Sequence, residues 1–306
     1  DSFLKGYKKG ITPNPCVVCN KEIKFGLLLK KALSLDADFI ATGHYARLES
    51  RKWKAESGRE KKLPSTCYSL LSAKDKEKDQ SYFLWMLNQE QLKRILFPVG
   101  DYSRAEVKNL AKKFRLNFLL NIPKSMEICF VPTTINDFLK RYLELKPGKI
   151  ACLGSGVKRV VGEHQGLAGF TIGQRKGIGL PGGPYFVLDK DLKKNLLIVT
   201  KNGKDLYKKE LVCKNLNWIA GRTPEFPLEA KTKIRYRSKP VLAQLTQINT
   251  DKTTTCSLYP FASGGPQTDS DKLIKIEFRK QQRAITPGQS VIFYKGNEVV
   301  GGGIID

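Results

Sequence analysis

The sequence predicts an α/β region followed by an all-β region, and three observations carry that reading. Apolar residues recur at helical spacing behind a proline-rich loop near the N-terminus. A short apolar segment after them ends in Gly-His, like a strand leaving a sheet. Roughly the last hundred residues alternate apolar and polar side chains between turn signals about ten residues apart, the pattern of a small barrel.

The first element follows TPNPCVVCNKEIKFG, residues 12–26. Thr12, Pro13, Asn14 and Pro15 hold the chain extended, because a residue before proline avoids the α region. Cys16 and Cys19 follow as C-x-x-C, and Ile23, Leu27, Leu28, Ala32 and Leu35 then mark a helix. The pattern is a stiff loop delivering thiols to a helix N-terminus, a position suited to a metal, a redox pair or a nucleophile. Residues 39–42 read as a short buried strand with Gly43 and His44 at its exit, where open α/β sheets bind ligands. Gly43 lets a nucleotide approach the backbone. His44 fits a core histidine and a functional one equally.

Residues 56–66 read as a polar loop. Asp79 and Gln80 precede an apolar helical run of Phe83, Leu84, Leu87 and Leu92. Ser103 caps a further helix, with Glu106 at the capping-box position. Residues 121–132 form a loop carrying Cys129, and NDFLKRYLELKPG is a helix ended by Pro147 and Gly148. From Lys149 the chain turns glycine-rich, with short strands at 185–188 and 196–199. In KTKIRYR, Ile234 and Tyr236 alternate with Lys233, Arg235 and Arg237. Ile274, Ile276 and Phe278 do the same in LIKIEFRK, and VIFYKGNEVVGGGII reads as a hairpin turning at 295–298. Composition shifts near 132 and 205 divide the chain into residues 1–132, 133–205 and 206–306.

The 306 residues carry 54 Lys plus Arg against 29 Asp plus Glu, a net charge of +25. The excess is spread along the chain and favours a broad surface for nucleic acid over a merely solvated one. No apolar run is long enough to span a membrane as a helix. DSFLKGYKKG has neither a signal-peptide apolar stretch nor an initiator Met, which suggests a start within a longer protein. Seven scattered cysteines do not form a secreted disulfide framework, so a reducing cytoplasm is expected, with most cysteines buried as small apolar residues.

Two motifs are set aside. Residues 177–182 match G-x-G-x-x-G, but Pro181 and Pro184 forbid the helix a dinucleotide site needs. Gln174, Arg175 and Lys176 beside it suit a nucleic-acid backbone better. Ser263-Gly264-Gly265 with Asp269-Ser270 resembles the S-G-G-x-D-S loop of PP-loop ATP pyrophosphatases, yet it is too long and lacks a following helix. Cys16 and Cys19 supply only half a zinc site, without a second ligand pair. Among the thiols, Cys19, with Lys21 and Lys24 nearby, and Cys129, after Lys124, are the candidates for reactive thiolates, against the alternative of structural cysteines.

TPNPCVVCNKEIKF, ATGHYAR, KDQSYFL, SMEICF, GEHQG, TIGQRKGIG and TPGQSVIFY with GGGII together resemble, in this order, the tRNA-specific 2-thiouridylases. That resemblance spans essentially the whole chain. It implies an adenine-nucleotide-binding α/β domain of the PP-loop type, incomplete here, a small central tRNA-interacting domain and a C-terminal β-barrel. The implied reaction replaces the C2 oxygen of the wobble uridine, U34, by sulfur. ATP, with Mg²⁺, adenylates the oxygen, and a cysteine persulfide supplies the sulfur. Carried over by motif, Cys129 is the persulfide carrier and Cys19 the nucleophile. Cys19 either attacks the persulfide, leaving a Cys19–Cys129 disulfide, or releases sulfide. Asn14, Pro15 and Cys16 fall at the target-base contact, where many relatives have Asp in place of Cys16. Gly43 falls at an ATP contact. His44, Lys78, Asp79, Gln80, Arg235, Tyr236 and Gln289 fall at tRNA contacts. The implied partners are tRNAs for Lys, Glu and Gln and a persulfide donor such as a cysteine desulfurase or a sulfur-relay protein. The family's S-G-G-x-D-S loop lies upstream of TPNP, so this chain alone is expected to bind ATP poorly and turn over little. A tRNA-binding remnant or one half of a split enzyme is the alternative.

Overall fold

Alternating apolar residues build the largest part of the molecule. The computed structural model describes residues 2–52, 66–121, 128–154, 157–248 and 272–306. In chain order, α1 (Ser2–Lys8) leads to a helical rod of α2 (Pro15–Val18), a π-helical segment (Cys19–Leu28) and α3 (Leu29–Leu33). Next come β1 (Ile40–Ala41), β2 (Ala46–Lys52), β3 (Thr66–Ser72), a 3-10 turn (Ser81–Phe83), α4 (Gln89–Leu92), β4 (Ile95–Leu96), α5 (Arg104–Lys113) and α6 (Ile135–Tyr142). The middle of the chain contributes β5 (Gly148–Gly154), β6 (Val157–His164), β7 (Phe186–Asp191) and β8 (Leu196–Thr200). The rest contributes β9 (Tyr207–Trp218), β10 (Leu228–Lys233), β11 (Val241–Ile248), β12 (Leu273–Arg283), β13 (Ser290–Lys295) and β14 (Glu298–Ile305).

Strands β13, β10, β11, β12, β9 and β14 pair in that order, and β13 pairs with β14 to close a six-stranded antiparallel barrel. Closure removes the exposed edges an open sheet would leave. Along β12, Ile274, Ile276 and Phe278 point into the core while Lys275 and Glu277 face water. The turn at Lys295 and Glu298 is the expected hairpin. The hairpin β2–β3 joins β14 where Leu71 pairs with Glu298, so an early part of the chain extends the barrel sheet. The middle sheet runs β6-β5-β8-β7, with β5 and β8 parallel. Strands β1 and β4 form a two-stranded parallel α/β remainder.

A second core welds this remainder to the barrel wall: Phe25, Leu70, Tyr82, Leu84, Trp85, Leu87 and Leu92 pack with Ile292 and Val299. A Cβ on Gly302 would come within 2.8 Å of the Trp85 ring, so glycine there lets the indole lie against β14. Truncating a fully buried indole to alanine costs about 3–5 kcal/mol.

Several expectations need correction. The helix behind TPNP starts at Pro15 rather than after Cys19, and its middle winds as a π-helix. Its buried face is Val17, Phe25 and Leu29, whereas Ile23, Leu27, Leu28 and Leu35 are more than half exposed. The barrel side, not the longest apolar periodicity, decides which face is covered. The strand at residues 39–42 is not buried: Phe39 is 50% exposed, because β1 has β4 as its neighbour on one edge alone among the described residues. The apolar run after Gln80 is not one helix. Asn88 and Gln91 form a reciprocal cap that restarts the chain as α4. The helix over residues 136–148 ends at Tyr142, capped at its start by Thr134. In KTKIRYR the strand stops at Lys233, and Ser238 bonds back to Arg235 to make a turn. Of the described cysteines Cys213 alone is buried. The polar loop at 56–65, most of the loop before Cys129, Cys256 and the Ser263 to Ser270 stretch lie outside the described residues.

Candidate active site

Two prolines make the loop at 12–15 stiff, and three neighbours fix where it points. Pro13 is buried against α1, where a Cβ on Gly6 would come within 3.0 Å of its ring. The Thr12 amide donates to the Pro287 carbonyl at 2.9 Å, and Gln289 Nε2 donates to the Thr12 carbonyl at 2.9 Å. Gly288 between them has φ +87°, and a Cβ there would stand 3.0 Å from Ile11 and Thr12. The side chain of Asn14 reaches the Tyr82 hydroxyl, which donates to the Ser290 carbonyl at 2.9 Å. The barrel turn before β13 therefore clamps the loop.

The clamp presents the thiols. The Cys19 amide donates to the Cys16 and Pro15 carbonyls, so Cys16 and Cys19 stand one turn apart on one helical face. Phe130, next to Cys129, meets the Phe3 ring of α1 edge-on at 5.2 Å, which ties the Cys129 loop to the helix that backs Pro13. The thiol of Cys16 is pushed up from its ordinary value, first by lost hydration and then by negative charge at Cys129 and at Cys19, with Lys24 opposing. Cys16 thus lies within electrostatic reach of both other thiols. Cys16 and Cys129 are exposed and Cys19 half-buried, and all described cysteines are free.

Beside them, His44 is 9% exposed, between the rings of Phe25 and Phe97 at 5.8 and 6.0 Å. Its Nδ1 lies 2.8 Å from Thr42 Oγ1. Burial and then the charge of Lys24 pull its pKa down to about 4, so it is neutral at physiological pH. Gly43 is exposed at the carboxyl end of β1, and nothing lies within 4 Å of where a Cβ would stand. That open backbone suits a nucleotide. Among the described residues no three His, Cys, Asp or Glu side chains converge as metal ligands.

The residues matched to tRNA contacts divide into two groups. Asp79 is buried, and its carboxylate accepts from the amides of Ala73 (3.0 Å) and Ser81 (3.2 Å) and from the Ser81 hydroxyl (3.0 Å). Gln80 Oε1 accepts the Tyr45 amide at 2.9 Å. Arg235 Nη2 donates to the Ala284 carbonyl and to Thr286 Oγ1, the latter at 2.9 Å. Gln289 is engaged with Thr12. These four spend polar groups on the protein. Lys78 and Tyr236, together with Asp79, line a cavity of ≈ 700 Å³ between the loop after β3 and the turn after β10. Lys76, Lys231, Lys233, Arg237 and Lys239 line it too. The sequence signal for these was two charge runs, KDKEKD and KTKIRYRSK, which nothing in the sequence alone brings together.

Comparison with known proteins now bears on the site. Residues 1–133 match the model of a tRNA methyl transferase HUP domain, residues 136–201 that of a tRNA methyl transferase PRC-barrel domain, and residues 263–305 that of an aminomethyltransferase beta-barrel domain. A tRNA-specific 2-thiouridylase MnmA of Carboxydothermus hydrogenoformans is 40% identical across 100% of this chain and 75% of its own length. Those of Buchnera aphidicola and Halothermothrix orenii are 40% and 41% identical, again over 100% of this chain and 76% of theirs. The chain belongs to the tRNA-specific 2-thiouridylase family. It spans about three quarters of the length of these thiouridylases, and the α/β remainder, middle sheet and closed barrel are the parts of the family fold it displays. Among the described residues no helix is long and apolar enough to cross a membrane.

Proposed function

We propose that the residues of this chain carry the sulfur-transfer step of a 2-thiouridylase, directed at the wobble uridine, U34, of tRNA, as part of a protein that also supplies the ATP loop. The observation that supports this most is that the clamped loop sets Cys16 and Cys19 one turn apart while the Cys129 loop is tied through Phe130 and Phe3 to the α1 helix that backs the clamp. Cys129, exposed on its own loop, receives the sulfur as a persulfide from a donor protein such as a cysteine desulfurase or sulfur-relay protein. Cys19 attacks the Cys129 sulfur of that persulfide. The S–S bond breaks, hydrosulfide leaves towards C2 of the base, and a Cys19–Cys129 disulfide remains for an external thiol to reduce. ATP supplies the adenylyl group that turns the C2 oxygen into a leaving group, and the open backbone at Gly43 suits its approach.

Asn14, Pro15 and Cys16 hold the target base beside Cys19, in a loop whose rigidity keeps reacting atoms in register. An anticodon base is unpaired, so moving it into this pocket costs little. The remaining surface of this chain, whose net charge is +25, holds the phosphates of tRNAs for Lys, Glu and Gln. The matched family descriptions also name methyl transfer, but a trio of thiols suits sulfur chemistry better. A non-catalytic remnant or half of a split enzyme is the less favoured reading, since the match to the relatives covers all of the chain.

Cys129→Ser tests the reading, in a reaction supplied with ATP, persulfide donor and unmodified tRNA. Thiolation disappears while tRNA affinity stays within about twofold, since an exposed neutral thiol neutralises no phosphate. Retained thiolation would remove Cys129 from the mechanism.

A further inference from the structure

The π-helical segment Cys19–Leu28 begins at the half-buried thiol of Cys19 itself. Such winding is rare and usually confined to a single turn, so ten residues of it need outside support. Three features supply it. Gln91 of α4 donates from Nε2 to the Phe25 carbonyl at 2.8 Å and to the Lys21 carbonyl at 3.3 Å, while its Oε1 accepts the Asn88 amide at 3.1 Å. One side chain thus caps α4 and braces the segment. Asn20, next to Cys19 in the chain, is 3% exposed and donates from Nδ2 to the Phe83 carbonyl at 3.1 Å. At Gly26 a Cβ would stand 2.8 Å from the Lys21 carbonyl oxygen, so glycine there leaves the wide turn undistorted. Stability alone does not account for Asn20. Its Oδ1 is buried with no hydrogen-bond partner among the described residues. A buried acceptor left unpaired costs at least what one ordinary hydrogen bond returns, so the amide gives the fold little.

We propose that Asn20 and Gln91 are positioning residues that hold the π winding and thereby set the direction of the Cys19 thiol. The proposal rests on the sulfur-transfer reading above and deepens it by naming what aims the nucleophile. Asn20 ties the start of the segment to the 3-10 turn, and Gln91 ties its middle to α4. Phe83 and Leu92 belong to the core that joins the barrel wall, so both anchors are rigid. The loop clamp at Thr12 fixes Cys19 from one side and these two amides fix it from the other. An α-helix closes each turn with fewer residues than a π-helix, so relaxation to α would rotate one end of the segment against the other. Phe25 is buried against the ring of His44 and resists that rotation. The movement would therefore fall on Cys19.

The test reads each thiol separately by mass spectrometry, after iodoacetamide alkylation and after disulfide formation driven by diamide. Gln91→Glu keeps the acceptor for the Asn88 amide and loses both donated bonds. Asn20→Ala loses the bond to Phe83, and Gly26→Ala opposes the winding without touching either amide. In each variant Cys19 should alkylate about threefold faster or more as its turn opens locally. Its disulfide with Cys129 should form about threefold more slowly or worse, because that bond needs a narrow geometry. Alkylation of Cys129 should not change. Cys213, fully buried in the barrel core, should stay protected, whereas a purely structural role would expose it together with Cys19. The proposal is overturned if the Cys19 rates stay as in the parent, move in the same direction, or change only along with Cys213. Gly26→Ala decides the matter if the amide variants do not fold. If the parent forms no Cys19–Cys129 disulfide, the sulfur-transfer reading falls, and alkylation of Cys19 alone still decides whether the two amides hold it.

Discussion

Gln289 donates its side-chain amide to the carbonyl of Thr12 at 2.9 Å, across 277 residues of sequence. The bond fastens the thiol-bearing loop to the barrel, and its partner bond from the Thr12 amide to Pro287 completes the clamp. Gln289→Ala should cost about 0.5–1.5 kcal/mol of stability, as for an ordinary hydrogen bond. Thiolation should fall further than that, by about tenfold or more, because small misplacements of reacting groups are expensive. Denaturant titration and single-turnover thiolation of the same variant compare the two. A rate loss no greater than the stability loss would mean that the clamp does not position the thiols.

His44 makes stability depend on pH. Its pKa is lowered from 6.5 to about 4 in the folded chain, so between those values the unfolded chain binds the extra proton. Stability from this residue is complete above about pH 6.5 and is lost progressively as pH falls towards 4, by an amount of the order of 3 kcal/mol. Urea titrations at both ends of that window should show the drop in the parent and a smaller one in His44→Gln.

Lys24 acts on both Cys16 and His44. Replacing it by Gln should raise the pKa of each. Alkylation of Cys16, which needs the thiolate, should be slow at neutral pH in the parent and shift to still higher pH in Lys24→Gln. Mass-spectrometric labelling read at Cys16 against pH, with the His44 ring followed by NMR, measures both. Opposite movements would show that Lys24 does not sit between them.

Arg235 holds the Ala284 carbonyl and the Thr286 hydroxyl with one end of its guanidinium. Arg235→Lys keeps the charge and loses the planar fork. Hydrogen bonds to charged groups contribute about 1.5–3 kcal/mol, so the variant should unfold measurably earlier in denaturant. If only tRNA affinity changes, the residue faces the RNA and not the barrel.

Where local chemistry determines the structure, the sequence was readable. The Ser103–Glu106 capping box forms with bonds of 3.2 and 2.6 Å, and the alternation of β12 and the turn at Lys295 and Glu298 appear as expected. The hairpin β2–β3 was not readable, since its partner strand β14 lies over 200 positions away and its residues show no clean alternation. The π-helical turn likewise depends on how the rod packs, not on its composition. At the candidate site the thiols, Gly43 and His44 were all evident in the sequence, but which polar side chains face inwards was not. Nothing in the polar run KDKEKDQ tells that Asp79 and Gln80 turn inwards, and only the fold shows them bonded to Ala73, Ser81 and Tyr45.

The clamp between Thr12 and Gln289 also carries a consequence for biosynthesis. A ribosome exposes Cys16, Cys19 and Cys129 long before it has made the turn that orients the first two. During that interval the nascent chain carries accessible thiols on an unsupported loop, with Cys16 and Cys129 open to solvent even in the finished fold. The interval lasts at least as long as synthesis of the residues between Cys129 and β13, at about 5–20 residues per second. Competence for chemistry is thus withheld until β13 is in place, and stalled or prematurely terminated products would hold the reactive groups without the geometry to use them.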